Sequence, residues 1–504
     1  MTLSTKYQLY WGEIHNHNEL GYAQGSLERS YEIARSHLDF YAFTPHGMHA
    51  DQGIRAYPVV ERNWSRIQQA AAEKCEPGVF TSFLAYEWHS SAWGHVHVVY
   101  LEDDKALHFE PTLAALQAYF RRQEVLLVPH HTAYINGVDW DLFDEALSPV
   151  VEIFSEHGSS ERDSGLHPML GHSGGPGDAR FTAQHGLALG KRFGFTAGTD
   201  NHDGYPGAYG LGLTGVLAEE NSRAALFDAL RQRRTLAVTG DRIGIDFRAG
   251  EAPMGSVVAA AQVDELSFAV EAWDFVKLVE LVRDNVPVQV WTSDYSTAPQ
   301  DGEDIYRLRI EWGWGPMKGF QLFDWQGRVE VENGVLEQAV PCFSSDPFDE
   351  HRRKRIEARG ERSCSWRSHT SRGGMLTSRN GNISNRANDA LCLQVRGTAA
   401  TRIVLDMDCQ THTSLVATGP DWSLSSRLGR LEAEFTVGEL LEGRRGLRLE
   451  EVPTSVVVHR AIPQGQYTVE GAYTENLKEP ACYYLRATQE NGQMAWASPI
   501  WIEA

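Results

Sequence analysis

Apolar positions in the first half of the chain follow two alternating periods. Short β-rich runs, "YQLYWGEI", "DFYAFT", "VFTSFLAY", "VHVVYL", "VLLVP", "VVEIFS" and "RFGFTAG", have strand length. Between them lie stretches with helical spacing. In "SLERSYEIARSH", Leu27, Tyr31, Ile33 and Ala34 share one side behind a Ser26 N-cap. "YPVVERNWSRIQQAAAEK" carries Pro58 near its start, where proline is tolerated. "PTLAALQAYFRRQ" and "NSRAALFDALRQRR" read as further helices, the last with Asn221 as its cap. Strands alternating with helices predict a parallel sheet, open or closed into a barrel. The pattern changes around "FRAGEAPMGS". Alternating β runs such as "LSFAVEAW", "VKLVELVRD", "YRLRIEW", "RIVLDMD", "YYLRATQ" and "SPIWIEA" then predict an all-β sandwich-like domain. The expected boundaries are residues 1–247 for the α/β domain and 248–504 for the β-rich one. A charge run at 344–375 reads as a solvated helix or loop, and the glycine-rich "HSGGPGDAR" at 172–180 as a loop over the site.

The residues at the end of each early strand change the picture. His15 and His17 come after the first, at a spacing that puts both rings on one face of an extended chain. His46 comes after the second, and Glu87 and His89 after the third. The fourth carries His95 and His97; His130 and His131 come after the fifth. Glu152, Ser155 and His157 come next, then Asp200 and His202. In parallel α/β folds the C-terminal strand ends converge on one rim, where active sites sit. Imidazoles and carboxylates are ligands of Zn²⁺, Mn²⁺ and Fe²⁺. Sixteen of the 20 histidines lie at or before His202, so this chemistry belongs to the first half.

The combination of HxH, Pro-His, a strand-end Glu, a later Pro-His and Asp-x-His resembles the PHP (polymerase and histidinol phosphatase) superfamily. "YWGEIHNHNELGYAQGSLE", "TGDRI" and "AWASPIWI" are similar to a PHP-like branch with an appended C-terminal β domain. The resemblance implies a distorted (β/α)7-type barrel holding two or three divalent ions. It carries over His15, His17, His46, Glu87, His130, Asp200 and His202 as ligands. A further histidine place falls to His95 or His97, and His95 is assigned to the set. Glu19 or Gln24 stands where many members have another ligand, and that choice sets the metal count.

The resemblance also implies phosphoester hydrolysis, with a metal-activated hydroxide attacking phosphorus on a small mono- or diester. His157 is either a ligand or the general acid. Arg162 and Arg242 are candidates to steady a phosphate, with Arg180 and Lys191 behind them. An amide, lactone or carboxylic ester hydrolase is the alternative, since similar clusters polarise carbonyls. A non-enzymatic binding protein is a third reading.

Charge narrows the partners. A net charge of -21 over 504 residues disfavours nucleic acid. No basic, apolar leader and no run long enough for a membrane span are seen, and the six cysteines form no CxxC pair, so a reduced, cytoplasmic protein is expected. The β domain has three open roles: covering the rim, self-association into a homo-oligomer, or binding a polymer.

Overall fold

The computed structural model describes residues 6–21, 23–49, 58–170, 175–295, 302–314, 320–345, 350–372, 388–414 and 424–504. Residues 172–174 of the glycine-rich stretch, and 346–349 and 373–375 of the charge run, lie outside the described residues.

The early elements fall where the apolar periods place them. In order they are β1 (Gln8–Glu13), α1 (Leu27–His37), β2 (Phe40–Phe43), β3 (His46–His49), α2 (Pro58–Glu73), β4 (Thr81–Ser90), β5 (Gly94–Tyr100), α3 (Leu113–Phe120) and β6 (Val125–His130). Then come β7 (Val150–Ser155), β8 (Gly158–Ser159), α4 (Ala183–Ala188), β9 (Gly194–Ala197), β10 (Leu213–Ala218), α5 (Arg223–Arg231) and β11 (Thr235–Val238). Ser26 caps α1 by accepting from the Arg29 N–H, and Leu27, Tyr31, Ile33 and Ala34 are buried. Such a cap contributes about 1 kcal/mol. The cap of α5 is Ser222, not Asn221. Asn221 is buried, and its amide instead takes the Thr81 hydroxyl at 2.8 Å and donates to the Asp39 and Val79 carbonyls.

The sheet is mixed rather than parallel. β1–β2, β2–β4 and β3–β4 are parallel, whereas β4–β5, β5–β6, β1–β10 and β10–β11 are antiparallel. A parallel neighbour needs a crossover of a dozen or more residues. Only a tight turn separates β4 from β5: Ser90 Oγ accepts from the N–H groups of Ala92 and Trp93, and Gly94 adopts φ 81°. β7, β8 and β9 form a separate small sheet. Among the described residues no ladder joins β6 to β7, so the expected closed barrel is not present as a continuous ladder; the Leu127 N–H donates to the Leu147 carbonyl at that seam. On the other side the extensions of β1 and β9 meet in a parallel bridge, Asn16 to Asn201.

The chain forms two compact units, and their limits differ from a single break after residue 247. The first comprises residues 1–272, 276–292 and 468–504; the second comprises 273–275 and 293–467. The reason is edge pairing. β11 is wholly buried and takes Met494–Ala497 as its antiparallel neighbour, so the C-terminal strands complete the first unit's sheet. The second unit holds two antiparallel sheets of six and five strands. Of the runs expected in a sandwich, "YRLRIEW" and "RIVLDMD" lie here, whereas "VKLVELVRD", "YYLRATQ", "SPIWIEA" and nearly all of "LSFAVEAW" belong to the first unit. Trp312 of one and Trp366 of the other stack at 5.3 Å. The charge run contributes two paired strands, Arg355–Arg359 and Ser363–Arg372, in place of the expected helix or loop. All six cysteines are free thiols. No helix among the described residues is long and apolar enough to cross a membrane.

Candidate metal centre

The strand ends deliver their side chains to one buried place in the first unit. His15 and His17 lie just beyond β1, with ring centroids 5.3 Å apart. His46 opens β3 directly opposite Glu87 of β4. β5 supplies His95 and His97, and β6 ends on His130. Asp200 comes after β9 in the left-handed region at φ 53°, a conformation that aspartate tolerates better than most residues. Its N–H donates to the His15 carbonyl, and the His17 N–H donates to the Asn201 carbonyl, which holds the turn in place. Gly198 permits the approach: a Cβ there would lie 2.5 Å from His15 Cβ and 2.7 Å from Glu152 Oε2.

Two carboxylates organise the nitrogens. Glu87 Oε1 lies 3.1 Å from His130 Nε2 and 3.3 Å from His95 Nδ1. Its Oε2 lies 3.2 Å from His46 Nδ1 and 3.4 Å from His17 Nε2. Asp200 Oδ1 lies 3.1 Å from His17 Nε2 and 3.2 Å from His15 Nε2, and its Oδ2 is 2.8 Å from His157 Nε2. The Nε2 atoms of His46 and His202 face each other at 3.3 Å. Donors bonded to one divalent ion at about 2.0–2.2 Å stand roughly 3 Å apart, which is the spacing seen here.

Burial decides the protonation states. It pushes the Glu87 carboxyl well above the usual carboxylate range. It drives His46, His95, His97, His130 and His131 well below 6.5, and burial together with His202 takes His17 to about 3. Burial opposes charge on His15 too, but Glu152 and Asp200 override it and hold this ring well above its ordinary value. Burial likewise opposes charge on Asp200, and His15, His157 and His17 prevail to keep it ionised. Neutral imidazole is the ligand form. Both ring nitrogens of His97 and both of His17 are buried with no hydrogen-bond partner, although an unanswered buried polar atom costs about 1–3 kcal/mol. Divalent cations satisfy such atoms, so the donor set fits them. Groups able to hold one include His15, Glu87, His97 and His130, and also His17, His46 and His202.

The structure thus brings together His15, His17, His46, Glu87, His95, His130, Asp200 and His202. His97 joins His95 rather than being excluded by it. His89 lies 3.4 Å from His95 between ring centroids, and His131 Nε2 lies 2.9 Å from His95 Nδ1. Glu19 and Gln24 are both exposed, whereas His15, His17 and Glu87 are buried. Arg242 is elsewhere: it donates to the His37 carbonyl at the end of α1, before β2, whereas His46 lies beyond that strand. Arg162 is half-buried in the segment after β8, and no described hydrogen bond or ion pair joins it to the cluster. Arg180 is paired with Asp178 at 2.6 Å.

Three supporting residues escape the strand-end pattern. Glu13 is fully buried and accepts the N–H groups of Thr199 and Gly207, each at 2.6 Å, tying β1 to the Asp200 turn. Arg29 of α1 is buried and donates to the Asp203 and Gly204 carbonyls at 3.0 and 2.9 Å, fixing the segment after His202. Tyr134 donates to the Leu170 carbonyl at 3.0 Å, so its oxygen, 2.9 Å from His157 Nδ1, accepts from that nitrogen.

A family model described as a protein of unknown function (DUF3604) matches residues 42–118 and 198–272. These stretches carry His46, Glu87, His95, His97, Asp200 and His202. An uncharacterized protein of Chlamydia pneumoniae is 26% identical over 327 residues, which is 60% of this chain and 51% of that protein. One of Chlamydia muridarum is 25% identical over 364 residues, 67% of this chain and 58% of that protein. The chain spans little more than half the length of these curated relatives. A solved structure from Bacteroides vulgatus, a two-domain protein containing a predicted PHP-like metal-dependent phosphoesterase, is 14% identical with a TM-score of 0.34. That likeness covers 58% of this chain and 82% of the other, and it is too slight to place one residue on another.

Proposed function

We propose that the protein is a metal-dependent hydrolase acting on small phosphate mono- or diesters. The observation that carries this reading is the pair of buried carboxylates, Glu87 and Asp200, each set between imidazole nitrogens at 2.8–3.4 Å. Two or three divalent ions, manganese, zinc or iron, suit these donors and supply Lewis acidity toward water and toward ester oxygens. The remaining work falls to the chain itself. His95 and His202 keep side-chain exposures of 20% and 17% while His15 and His17 have none, so substrate enters past the former pair. Tyr134 accepts from His157 Nδ1 and so aims Nε2 inward, toward Asp200. We assign His157, protonated on both nitrogens, the delivery of its Nε2 proton to the leaving oxygen, the ring remaining neutral with its proton on Nδ1. The motif resemblance favours phosphorus over a carbonyl centre, and a net charge of -21 favours a small substrate over nucleic acid.

The test is elemental analysis of purified protein followed by a panel of chromogenic phosphate and carboxylate esters with added Mn²⁺ or Zn²⁺. About two or more equivalents of transition metal and turnover of phosphate esters are expected. Turnover of carboxylate esters alone overturns the phosphoesterase reading. His157→Gln is expected to keep the metal and lose about 10²–10⁴ in kcat; loss of metal reassigns His157 as a ligand.

A further inference from the structure

A second site lies wholly within the second unit. Its five-stranded sheet carries a cavity of about 650 Å³ on the face turned away from the tryptophan core. Strand register builds this face. Asp324 stands opposite His369 and Gln410, and Gln326 opposite Arg367 and Asp408, so their side chains project together. Phe323 and Trp366 alternate to the other side and are fully buried, and Trp325 between Asp324 and Gln326 also borders the cavity. The segment before Arg355 supplies Arg352 and Arg353 to the same cavity.

Among the described residues that line this cavity, arginines outnumber carboxylates. Four arginines, Arg352, Arg353, Arg355 and Arg367, line it beside two carboxylates, Asp324 and Asp408. Both carboxylates are already answered. Asp324 meets His412 at 2.9 Å and Arg352 at 3.5 Å, while Asp408 meets Arg430 at 3.1 Å. Arg355 and Arg367 face each other directly across the ladder, an arrangement in which like charges repel. They share one carboxylate, Glu357, at 3.7 and 3.3 Å, and both are more than half exposed. Two guanidiniums against one carboxylate leave positive charge facing the cavity in a protein whose net charge is -21. An oxyanion between the two arginines removes that repulsion, and the planar guanidinium fork matches its oxygens in pairs.

We propose that this cavity binds a small tetrahedral oxyanion group, a phosphate or sulfate carrying two or more negative charges, held chiefly by Arg355 and Arg367. The full-length chain, stripped of metal with a chelator, is titrated calorimetrically with pyrophosphate and separately with sulfate. One binding site is expected for each anion. Arg355→Met with Arg367→Met is expected to weaken it at least tenfold, with unchanged thermal unfolding because both side chains are exposed. Arg355→Lys with Arg367→Lys, which keeps the charge but loses the fork, is expected to fall between. Asp200→Ala, in the metal centre, leaves the affinity unchanged. Absence of binding at millimolar anion overturns the proposal. So does binding that survives the methionine substitutions, or binding that Asp200→Ala abolishes.

Discussion

Two deeply buried places among the described residues answer charge differently. In the second unit Lys354 and Asp389, both fully buried, pair at 2.9 Å. Lys354 Nζ also donates to the Ser344 carbonyl and hydroxyl at 2.7 and 3.1 Å, which accounts for its three hydrogens. Asp389 Oδ1 takes the Ser344 N–H at 2.8 Å as well. Around Glu87 and Asp200 in the first unit the opposite holds. Imidazoles crowd together, burial keeps most of them neutral, and the nitrogens of His17 and His97 have no hydrogen-bond partner. A buried ammonium whose hydrogens all meet oxygens supports a fold, even with Asp389 Oδ2 left without a hydrogen bond. Buried donors left unanswered at ligand spacing are poised for a cation, and they weaken the fold until it arrives.

The largest expected effect separates these roles. His15→Ala with Asp200→Ala removes two donors from the cluster. Metal content falls below one equivalent by elemental analysis, and activity drops by roughly 10³-fold or more, since Lewis-acid stabilisation is worth several kcal/mol. Full activity in native protein stripped of metal sinks the whole account.

Lys354→Met works in the opposite sense. It strands Asp389 as an unpaired buried carboxylate and is expected to cost about 3–5 kcal/mol in urea unfolding, with metal content unchanged. Adding Asp389→Leu recovers most of that loss, because the second change removes the stranded charge. If Lys354→Met costs no more stability than the double change at the metal centre, the contrast between the two sites fails.

Glu152→Gln probes the boundary between them. Both Glu152 oxygens lie 3.0 Å from His15 Nδ1, so the carboxylate orients the ring and strengthens it as a donor. The amide keeps the shape and loses the charge. Metal affinity is expected to fall about 10–100-fold in a chelator competition, with the fold intact.

The legible features of the sequence are the local ones. HxH spacing, Pro-His after a strand and Asp-x-His are short-range patterns, and the residues in them meet at the cluster. Helix caps are equally local, but the choice between Asn221 and Ser222 turns on whether a distant strand needs the amide; Thr81 and Asp39 claim Asn221. Mixed strand direction is hidden because the turn after Ser90 resembles any other polar break until Ser90 Oγ and Gly94 are seen to close a hairpin. The C-terminal strand at Met494–Ala497 has the same alternation as a sandwich strand, and only β11's need for a neighbour assigns it to the first unit. Arg242 misleads for a related reason. A strand-adjacent arginine looks the same in sequence whether it faces a substrate or, as here, the His37 carbonyl. Glu13 and Arg29 act on backbone groups more than 170 residues away, and no spacing rule reaches that far.

The smallest expected effect comes from Tyr134→Phe. The phenol oxygen accepts from His157 Nδ1 while its hydrogen goes to the Leu170 carbonyl, and the side chain is 1% exposed. Losing the oxygen removes the restraint on Nδ1 and keeps the Asp200 contact at Nε2. The Nδ1 proton then has no acceptor there, so the ring is less firmly oriented and its Nε2 proton is less well aimed at the leaving oxygen. Packing is preserved, so the net cost is near that of one hydrogen bond, about 1 kcal/mol, or roughly fivefold in kcat. Metal content and KM are expected to stay constant. A larger loss accompanied by loss of metal makes His157 a ligand whose orientation Tyr134 sets, and moves Tyr134 into the same class as Glu152. No change at all places both residues with the satisfied charges of the second unit, as support for the fold only.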